Sequence, residues 1–321
     1  MARHVHSFGG REAAHTGNGA RRRCDLVDGV LLLDKPLGMT SNQALQTAKR
    51  LLHACKAGHT GSLDPIATGL LPLCFGEATK VSQFLLNADK RYWTVFRLGA
   101  STDTYDGEGE TTEVRAVTVQ RRDIERALRR FEGEIEQVPP MYSAIKHGGK
   151  SLYKLARAGV HVERKPRQVL VHEMQLLDFY DDQIELEIAC SKGTYIRSLA
   201  HDLGQVLGCG AHVAQLRRLS VGDLNVDQAF TLEALRAMPS SEAITEALLP
   251  VDAVVSGMPD IRLTQLATHY LCQGQAVSVR HRCPPGWVRL YDARDRFLGM
   301  GQVLDDGRVA PRRLMGVHGN P

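Results

Sequence analysis

Strand-like and helix-like hydrophobic patterns alternate irregularly along the chain. Val30–Leu33 is a short, fully apolar run that predicts a buried strand, whereas apolar residues at helical spacing after Thr40 predict a helix. Because the two patterns interleave without a fixed period, they predict an α/β or α+β sheet rather than a repeating βα barrel. Other segments fit this interpretation: strands at Tyr92–Leu98 and Ile184–Ile188, a helix at 121–131, a helix that carries Leu199 and ends at Gly208, and a hairpin of Trp287–Tyr291 and Phe297–Leu304.

Length and composition limit the class of protein. The chain has 321 residues, enough for about two domains, and its 43% hydrophobic and 24% charged residues exclude a wholly disordered protein. No apolar run approaches the roughly 18 residues that span a membrane, so we expect no membrane partner. The seven cysteines are odd in number and none are spaced by two to four residues, which argues against a disulfide framework and a four-cysteine zinc site. We therefore expect a cytoplasmic protein.

The composition and hydrophobic pattern of the sequence change twice along the chain. Residues 1–27 are rich in glycine, alanine, histidine and arginine without periodicity, so we expect a disordered extension there. The main folded domain is expected at 28–251. Prolines become frequent near residue 250 and the pattern shifts to short strands, which predicts a small β-rich domain at 252–321.

The segment Gly58–Gly69 has the most unusual composition. Its three glycines allow the backbone to turn sharply and approach a ligand, and Pro65 holds Asp64 in an extended or turn conformation. An aspartate fixed in this way can serve as an acid, a base or a nucleophile. On this pattern alone, a cap for a helix that starts near Ile66 is the commoner role.

Motifs for cofactors are absent from the sequence. Gly69 is followed by two leucines instead of the Lys-Ser/Thr of a phosphate-binding loop, and no Gly-x-Gly-x-x-Gly follows a strand. His59 has no histidine or cysteine at metal-ligand spacing, so we expect it to be a structural histidine with its hydrogen bonds satisfied. The sequence therefore predicts neither a cofactor nor a metal.

Several separated motifs resemble those of one enzyme family. The run Gly58–Pro65 with Ala67–Gly69 and Gly76–Lys80 resembles the signature of the bacterial tRNA pseudouridine-55 synthases of the TruB type. The resemblance covers roughly residues 29 to 235 and implies the pseudouridine synthase fold, a mixed, largely antiparallel sheet flanked by helices. Further segments match the same family in the same order: Lys35–Ser41, Asp89–Tyr92, Ser191–Arg197 and Leu216–Leu219.

The resemblance implies isomerisation of one uridine in the T-loop of tRNA. The N1–C1′ bond breaks and a C5–C1′ bond forms, a reaction that needs no redox cofactor, group donor or metal. Asp64 corresponds to the family's nucleophile. Attack at C1′ of the ribose, attack at C6 of the base and assisted elimination to a glycal all remain open. Because a stacked base is out of reach, the uridine must be turned out of the RNA into a pocket.

Catalytic roles for two further residues follow from the same resemblance. Arg197 would orient Asp64 and lower the pKa of its carboxyl group, since a guanidinium favours the ionised form. A surface arginine on a helix is its alternative role. Tyr92 would stack on the uracil and is a candidate for removing the C5 proton, with core packing as the alternative.

The family match also implies substrate-binding residues. Tyr195 resembles a second aromatic residue of the pocket, and Leu216 an apolar wall against the base, although both residue types commonly serve as core. His59 resembles the residue that fills the space vacated in the RNA. Lys35 would support the pocket, with a solvated turn lysine as the alternative.

RNA binding is expected on a basic stretch. Seven lysines and arginines and a single acidic residue lie between residues 146 and 167, which favours phosphate contact over a merely solvated face. The C-terminal domain resembles a PUA-type RNA-binding module through Phe297–Gly301 and Gly307–Pro311. The residues predicted to contact the RNA backbone are Lys146, Lys150, Lys154 and Arg157.

The expected partner is therefore the T-arm of tRNA, bound by a monomer that needs no protein partner. Two other functions stay open: a non-catalytic tRNA-binding protein with this fold, and a guide-RNA-directed pseudouridine synthase subunit. Retention of Asp64, Tyr92 and Arg197 favours an enzyme over a pure binder.

Overall fold

The computed structural model describes residues 24–160, 162–279 and 284–316. Seventeen strands and eight α-helices lie in this part of the chain. The strands are β1 Gly29–Lys35, β2 Ala57–His59, β3 Ala67–Phe75, β4 Lys90–Leu98, β5 Ala100–Thr102, β6 Thr111–Val114, β7 Gly133–Gln137, β8 Lys146–His147, β9 Lys150–Ser151, β10 Arg167–Tyr180, β11 Gln183–Cys190, β12 Ala211–Val221, β13 Leu224–Asn225, β14 Asp260–Arg262, β15 Gly286–Tyr291, β16 Phe297–Val303 and β17 Val309–Leu314. The helices are α1 Ser41–Leu51, α2 Ser82–Asn87, α3 Arg121–Leu128, α4 Leu152–Arg157, α5 Ile196–Leu207, α6 Leu232–Ala237, α7 Ser241–Glu246 and α8 Gln265–Cys272.

The larger of the two main sheets is mixed. Its strand order is β1-β3-β12-β4-β11-β10-β7, with β2 added beside β3 and β13 beside β12. Strand β12 runs parallel to β3 and antiparallel to β4, and the other pairs along this path are antiparallel. The predicted class, a mixed and largely antiparallel sheet flanked by helices, is confirmed.

Strand β1 is buried on both faces of this sheet, which explains its unbroken apolar run. Leu31 and Leu33 pack into the larger hydrophobic core with the apolar faces of α1, α3 and α5. Val30 and Leu32 point to the opposite face and pack with residues that include Leu85 of α2. Two apolar layers therefore hold the central strands in place.

The helix boundaries agree closely with the sequence pattern. Thr40 caps α1 by accepting a hydrogen bond from the backbone N–H of Gln43, and Gly208 ends α5 in the left-handed conformation at φ 79°. Helix α3 is shorter than predicted, because it ends at Leu128 rather than at residue 131. Phe131 is nevertheless buried in the core.

Strands β14 to β17 form a separate four-stranded sheet. The predicted hairpin is confirmed as β15 and β16, which pair antiparallel. This sheet contacts the rest of the chain through Met300, which packs with Val81 and Val255, and through an edge-to-face contact between Trp287 and Phe84 at 5.1 Å between ring centroids.

The predicted disordered extension lies mostly outside the described residues, which begin at Cys24. The last residues of that extension are ordered. Cys24 forms a disulfide bond with Cys55, Asp25 exchanges backbone hydrogen bonds with the segment after α1, and Val27 is buried. The spacing of the cysteines does not indicate this bond, because its two cysteines lie 31 positions apart in the chain. No helix in the described part of the chain is long and apolar enough to cross a membrane.

Candidate active site

Asp64 lies in the short loop between β2 and β3. Ser41, the first residue of α1, holds this loop by accepting a hydrogen bond from the backbone N–H of Leu63 at 2.7 Å and donating to its carbonyl at 3.0 Å. The chain then enters strand β3 at Ala67, so the alternative that Asp64 caps a helix near Ile66 is wrong. The loop instead presents the Asp64 side chain, 42% exposed, beside the sheet.

Arg197 is the central partner of Asp64. Its side chain is only 5% exposed, and it forms an ion pair with Asp64 at 2.9 Å and a second, longer one with Asp106 at 3.4 Å. The guanidinium also donates to the carbonyl oxygens of Thr104 at 3.1 Å and Tyr142 at 2.7 Å. The alternative of a surface arginine is therefore wrong, because these contacts fix the guanidinium in a single buried orientation.

Opposing effects act on the pKa of the Asp64 carboxyl group. Arg197 lowers the pKa of the Asp64 carboxyl group as predicted, but the surrounding protein atoms and the like charge of Asp106 act in the opposite direction. Burial is the largest of these effects, so the pKa of Asp64 is raised above its usual value. The predicted effect of Arg197 on the pKa is confirmed in direction, but burial outweighs it.

Tyr92 and Leu216 share one face of the sheet beside this loop. Strand β12 places Leu216 opposite Thr94 and Arg218 opposite Tyr92, and alternate residues of a strand point to the same side. Tyr92 and Leu216 are 9% and 8% exposed, and both contribute to the larger core. Asp64 lies near enough to Tyr92 for its charge to raise the pKa of the tyrosine hydroxyl, although burial contributes more.

Tyr195 is held at the entrance to α5. The Gln137 side chain accepts a hydrogen bond from the backbone N–H of Tyr195 at 2.8 Å and donates to its carbonyl at 3.1 Å. Burial is the main cause of the raised pKa of the Tyr195 hydroxyl, and the charges of Arg197 and Asp64 also reach it. Tyr195 is thus close to the Asp64–Arg197 pair, as the sequence predicts.

Lys35 and His59 also border the site. Lys35 is completely buried, and its ammonium group donates to the carbonyl oxygens of Pro36 at 2.8 Å and Met39 at 2.7 Å, so it is not a solvated turn lysine. Burial lowers the pKa of Lys35 to about 8 even though Asp64 raises it. His59 is half-buried and its Nδ1 has no hydrogen-bond partner among the described residues, so the expectation of a fully satisfied histidine is wrong.

The predicted RNA-backbone residues lie together on an exposed element. Lys146 and Lys150 belong to the two-stranded ribbon β8–β9, and Lys154 and Arg157 to the adjoining helix α4. All four are exposed, and none forms an ion pair with a described acidic residue. Tyr142, which precedes β8 in the chain, offers its carbonyl to Arg197, so the basic segment directly follows a residue of the site.

Sequence reasoning missed two charged groups of this site. Asp106 is 3% exposed and accepts hydrogen bonds from the Thr104 hydroxyl at 2.6 Å and the Glu108 backbone N–H at 3.1 Å. Its sequence context is that of an ordinary turn, and it lies 91 positions from Arg197, so no local pattern indicates their contact. Arg218 belongs to the Leu216–Leu219 motif, but the sequence alone indicates no role for it.

Together these residues can support nucleophilic and proton-transfer chemistry. A carboxylate is held by a fixed guanidinium, and two phenol groups lie close to it. Among the described residues, no group of three or more histidine, cysteine, aspartate or glutamate side chains is arranged to hold a metal ion.

Comparison with known proteins identifies the family. The model described as TruB family pseudouridylate synthase (N terminal domain) matches residues 49–196. Those described as tRNA pseudouridylate synthase B C-terminal domain and Pseudouridine synthase II TruB, C-terminal, match residues 197–256 and 259–315. A tRNA pseudouridine synthase B of Pseudomonas aeruginosa (strain UCBPP-PA14) is 54% identical over 292 residues, which cover 90% of this chain and 96% of that protein. The chain belongs to the TruB family. A Coxiella burnetii (strain Dugway 5J108-111) TruB relative of the same name is 54% identical over 293 residues, covering 90% of this chain and 95% of its own.

Solved structures support the fold of this TruB family member. In the crystal structure of an archaeal box H/ACA sRNP Nop10–Cbf5 complex, one chain superimposes with a TM-score of 0.67 at 26% identity, over 90% of this chain and 86% of that one. A chain of a Cbf5–Nop10–Gar1 complex gives a TM-score of 0.66 at 27% identity, over 87% and 79% of the two chains.

Proposed function

We propose that this protein isomerises a T-loop uridine of tRNA, at position 55, to pseudouridine. The observation that carries this proposal is the ion pair between Asp64 and the buried Arg197, in a chain that belongs to a family of pseudouridylate synthases. A purely RNA-binding protein gains nothing from a buried guanidinium that contacts two carboxylates and is therefore not offered to phosphates. Relatives 54% identical to this chain are named tRNA pseudouridine synthase B, which supports tRNA as the substrate.

In this proposal Asp64 is the nucleophile. Its carboxylate attacks C1′ of the ribose or C6 of the base, or assists elimination to a glycal, and the N1–C1′ bond breaks. The uracil turns until C5 faces C1′ and the C5–C1′ bond forms. Any bond between Asp64 and C1′ or C6 breaks, which returns the carboxylate, and C5 loses its proton while N1 gains one. Arg197 holds the carboxylate in position throughout, because its other hydrogen bonds anchor it to backbone carbonyls.

The remaining site residues bind the everted base. Tyr92 stacks on the uracil and takes the C5 proton, while Tyr195 and Leu216 form further walls of the pocket. Lys35 supports the pocket floor through its contacts with the Pro36–Met39 turn. His59, with one ring nitrogen unpartnered in the described structure, fills the space that the uridine leaves in the RNA.

The RNA backbone is bound by the exposed cations of β8, β9 and α4. These cations follow Tyr142 closely in the chain, and the Tyr142 carbonyl binds Arg197, so this surface brings phosphates near the site. They are Lys146, Lys150, Lys154 and Arg157. The C-terminal sheet, which resembles a PUA module in sequence, adds a second RNA contact. We further propose that the protein acts as a monomer in the cytoplasm, without a guide RNA or protein partner.

Product mapping tests this function. The purified full chain is incubated with a T-loop minihelix that contains uridine at position 55, and pseudouridine is located by carbodiimide labelling and primer extension. We expect one modified nucleotide at position 55 without any added RNA or protein. Binding without modification would favour the non-catalytic alternative, and modification only with an added guide RNA would favour the guided one.

A further inference from the structure

Arg218 is the largest fully buried side chain of the described structure, and its charge has no carboxylate partner there. It is 1% exposed, its Nε donates to the Leu70 carbonyl at 2.7 Å, and a terminal nitrogen donates to the Gly61 carbonyl at 3.1 Å. The preceding Arg217, by contrast, binds both carboxylate oxygens of Asp34. Burying an uncompensated charge is costly, so its retention calls for a functional reason.

The backbone around Arg218 is shaped to bring it close to the nucleophile loop. Gly69 of β3 lies opposite Arg218 with φ +98°, and a Cβ there would fall 2.3 Å from the Arg218 carbonyl oxygen. Gly61, also at positive φ, begins the loop that carries Asp64 and offers its carbonyl to the guanidinium. One side chain therefore fixes the separation between strand β12 and the nucleophile loop.

The other neighbour of Arg218 is Tyr92. The two residues are cross-strand partners in the β12–β4 ladder, so their side chains lie on the same face of the sheet. Arg218 lowers the pKa of the Tyr92 hydroxyl by its charge and by hydrogen bonding, against the larger effect of burial. A guanidinium has only donors to offer, so Arg218 at this cross-strand position favours negative charge on the Tyr92 oxygen.

We propose that Arg218 is a positioning residue for the proton-transfer step, with Tyr92 as the group that it acts on. The inference rests on the proposed function. After C5 has bonded to C1′, the C5–H bond breaks and its electron pair returns to the uracil ring. The C5 proton passes to the Tyr92 oxygen while the proton of the Tyr92 hydroxyl moves through water to N1, so that the phenol is regenerated. Arg218 orients the phenolic oxygen and stabilises its negative charge.

Two variants of Arg218 keep the test informative. Arg218→Lys retains the charge but not the planar, multiply bonded guanidinium. Arg218→Met removes the buried charge and keeps much of the volume, which is often compatible with folding. The matched control is Arg217→Lys, the same substitution at the neighbouring residue, whose side chain is 34% exposed and pairs with Asp34. Circular dichroism and thermal unfolding establish which variants are folded.

The measurement is the isotope effect on single-turnover conversion of minihelices that carry protium or deuterium at C5 of the target uridine. For Arg218→Lys we expect the rate to fall about 10- to 100-fold, as for a lost charge-assisted hydrogen bond, with RNA affinity within about threefold of the parent. The isotope effect should rise, because proton removal becomes slower relative to the other steps. In a Tyr92→Phe background, Arg218→Lys should lower the single-turnover rate hardly any further.

Each other outcome is decisive. An unchanged isotope effect would overturn the positioning role. So would a double variant whose loss of rate equals the product of the losses in Arg218→Lys and Tyr92→Phe. Failure of both Arg218 variants to fold would assign Arg218 to stability alone and equally overturn it. If the parent enzyme makes no pseudouridine in the minihelix, the proposed function fails instead, so the two failures are distinguishable.

Discussion

A buried guanidinium with several fixed contacts is what makes Asp64 a candidate nucleophile. The Arg197 side chain contacts two carboxylates and two backbone carbonyls at once, an arrangement that one ammonium group cannot reproduce. The geometry at the site therefore depends on the shape of the arginine as well as on its charge.

Arg197→Lys tests this dependence. We expect turnover of a T-loop minihelix to fall at least about 100-fold, because Arg197 contacts two carboxylates with different nitrogens and each charge-assisted contact contributes about 1.5 to 3 kcal/mol. RNA affinity should change little, since the exposed cations lie elsewhere. Arg121→Lys, on the exposed side of α3, is the matched control. Parental turnover in Arg197→Lys would show that Asp64 does not need this partner.

Asp106→Asn tests the second carboxylate and predicts a shift in pH dependence. Activity that needs ionised Asp64 is present above its raised pKa and lost as the pH falls through it. Asp106 raises that pKa by like charge, so its removal should move the acid limb of the single-turnover rate to lower pH. The plateau rate should fall about tenfold or more, since Arg197 loses a partner. An acid limb that stays in place or moves upward would contradict this assignment.

At the scale of elements, the segment from β8 to α4 is a basic surface beside the site. Its charges are exposed and unpaired in the described structure, so they are available to phosphates. Arg157 also stacks over the Tyr153 ring at 4.8 Å, which leaves an exposed aromatic among the cations.

Neutralising Lys150 and Lys154 to glutamine tests this surface. Each phosphate contact contributes about −0.9 to the slope of log affinity against log salt for duplex nucleic acid. We expect weaker tRNA binding and a slope flattened by roughly one to two units, with single-turnover rates at saturating RNA nearly unchanged. Gel-shift titrations over a range of salt measure this, with Arg122→Gln and Arg126→Gln of α3 as the control pair. An unchanged slope would place the RNA elsewhere.

Elements with a clear local signal were predictable from the sequence. The apolar run of β1, the Thr40 cap of α1 and the glycine that ends α5 each report a local energetic preference. The family motifs predicted that Asp64, Tyr92 and Arg197 share one site, and Asp64 and Arg197 form an ion pair in the structure. Asp106 and the unpaired charge of Arg218 could not be predicted, because both depend on contacts between distant segments. The net direction of the Asp64 pKa shift could not be predicted for the same reason, since burial is a property of the folded chain.

For the whole molecule, the C-terminal sheet is attached to the main fold by apolar and polar contacts. Met300 joins Val81 and Val255, Lys80 donates to the Leu314 carbonyl at 2.9 Å, and Tyr291 donates to Asp252 at 2.6 Å. These contacts place the small sheet beside the Gly76–Lys80 motif. The two RNA-binding parts of the proposal are thus held in one body.

Met300→Ala tests this attachment. Met300 is completely buried, and truncation of such a side chain costs about 2 to 5 kcal/mol through lost burial and the cavity left behind. We expect a lower free energy of unfolding in urea, measured by circular dichroism, and weaker tRNA binding. Leu266→Ala, at a residue that is 66% exposed, should change neither quantity. Equal stability of the two variants would mean that the Met300 contact contributes little.

In the proposed mechanism the Asp64 carboxylate performs the chemistry, and Asp64→Asn tests this most directly. The substitution is nearly isosteric and removes only the charge. Release of tritium from C5-labelled uridine in a T-loop minihelix is compared among the parent, Asp64→Asn and the control Asp223→Asn, an exposed aspartate of the β12–β13 turn. We predict a loss of about 10³-fold or more for Asp64→Asn with RNA affinity retained, and parental rates for the control. Tritium release by folded Asp64→Asn within about tenfold of the parent would contradict the account.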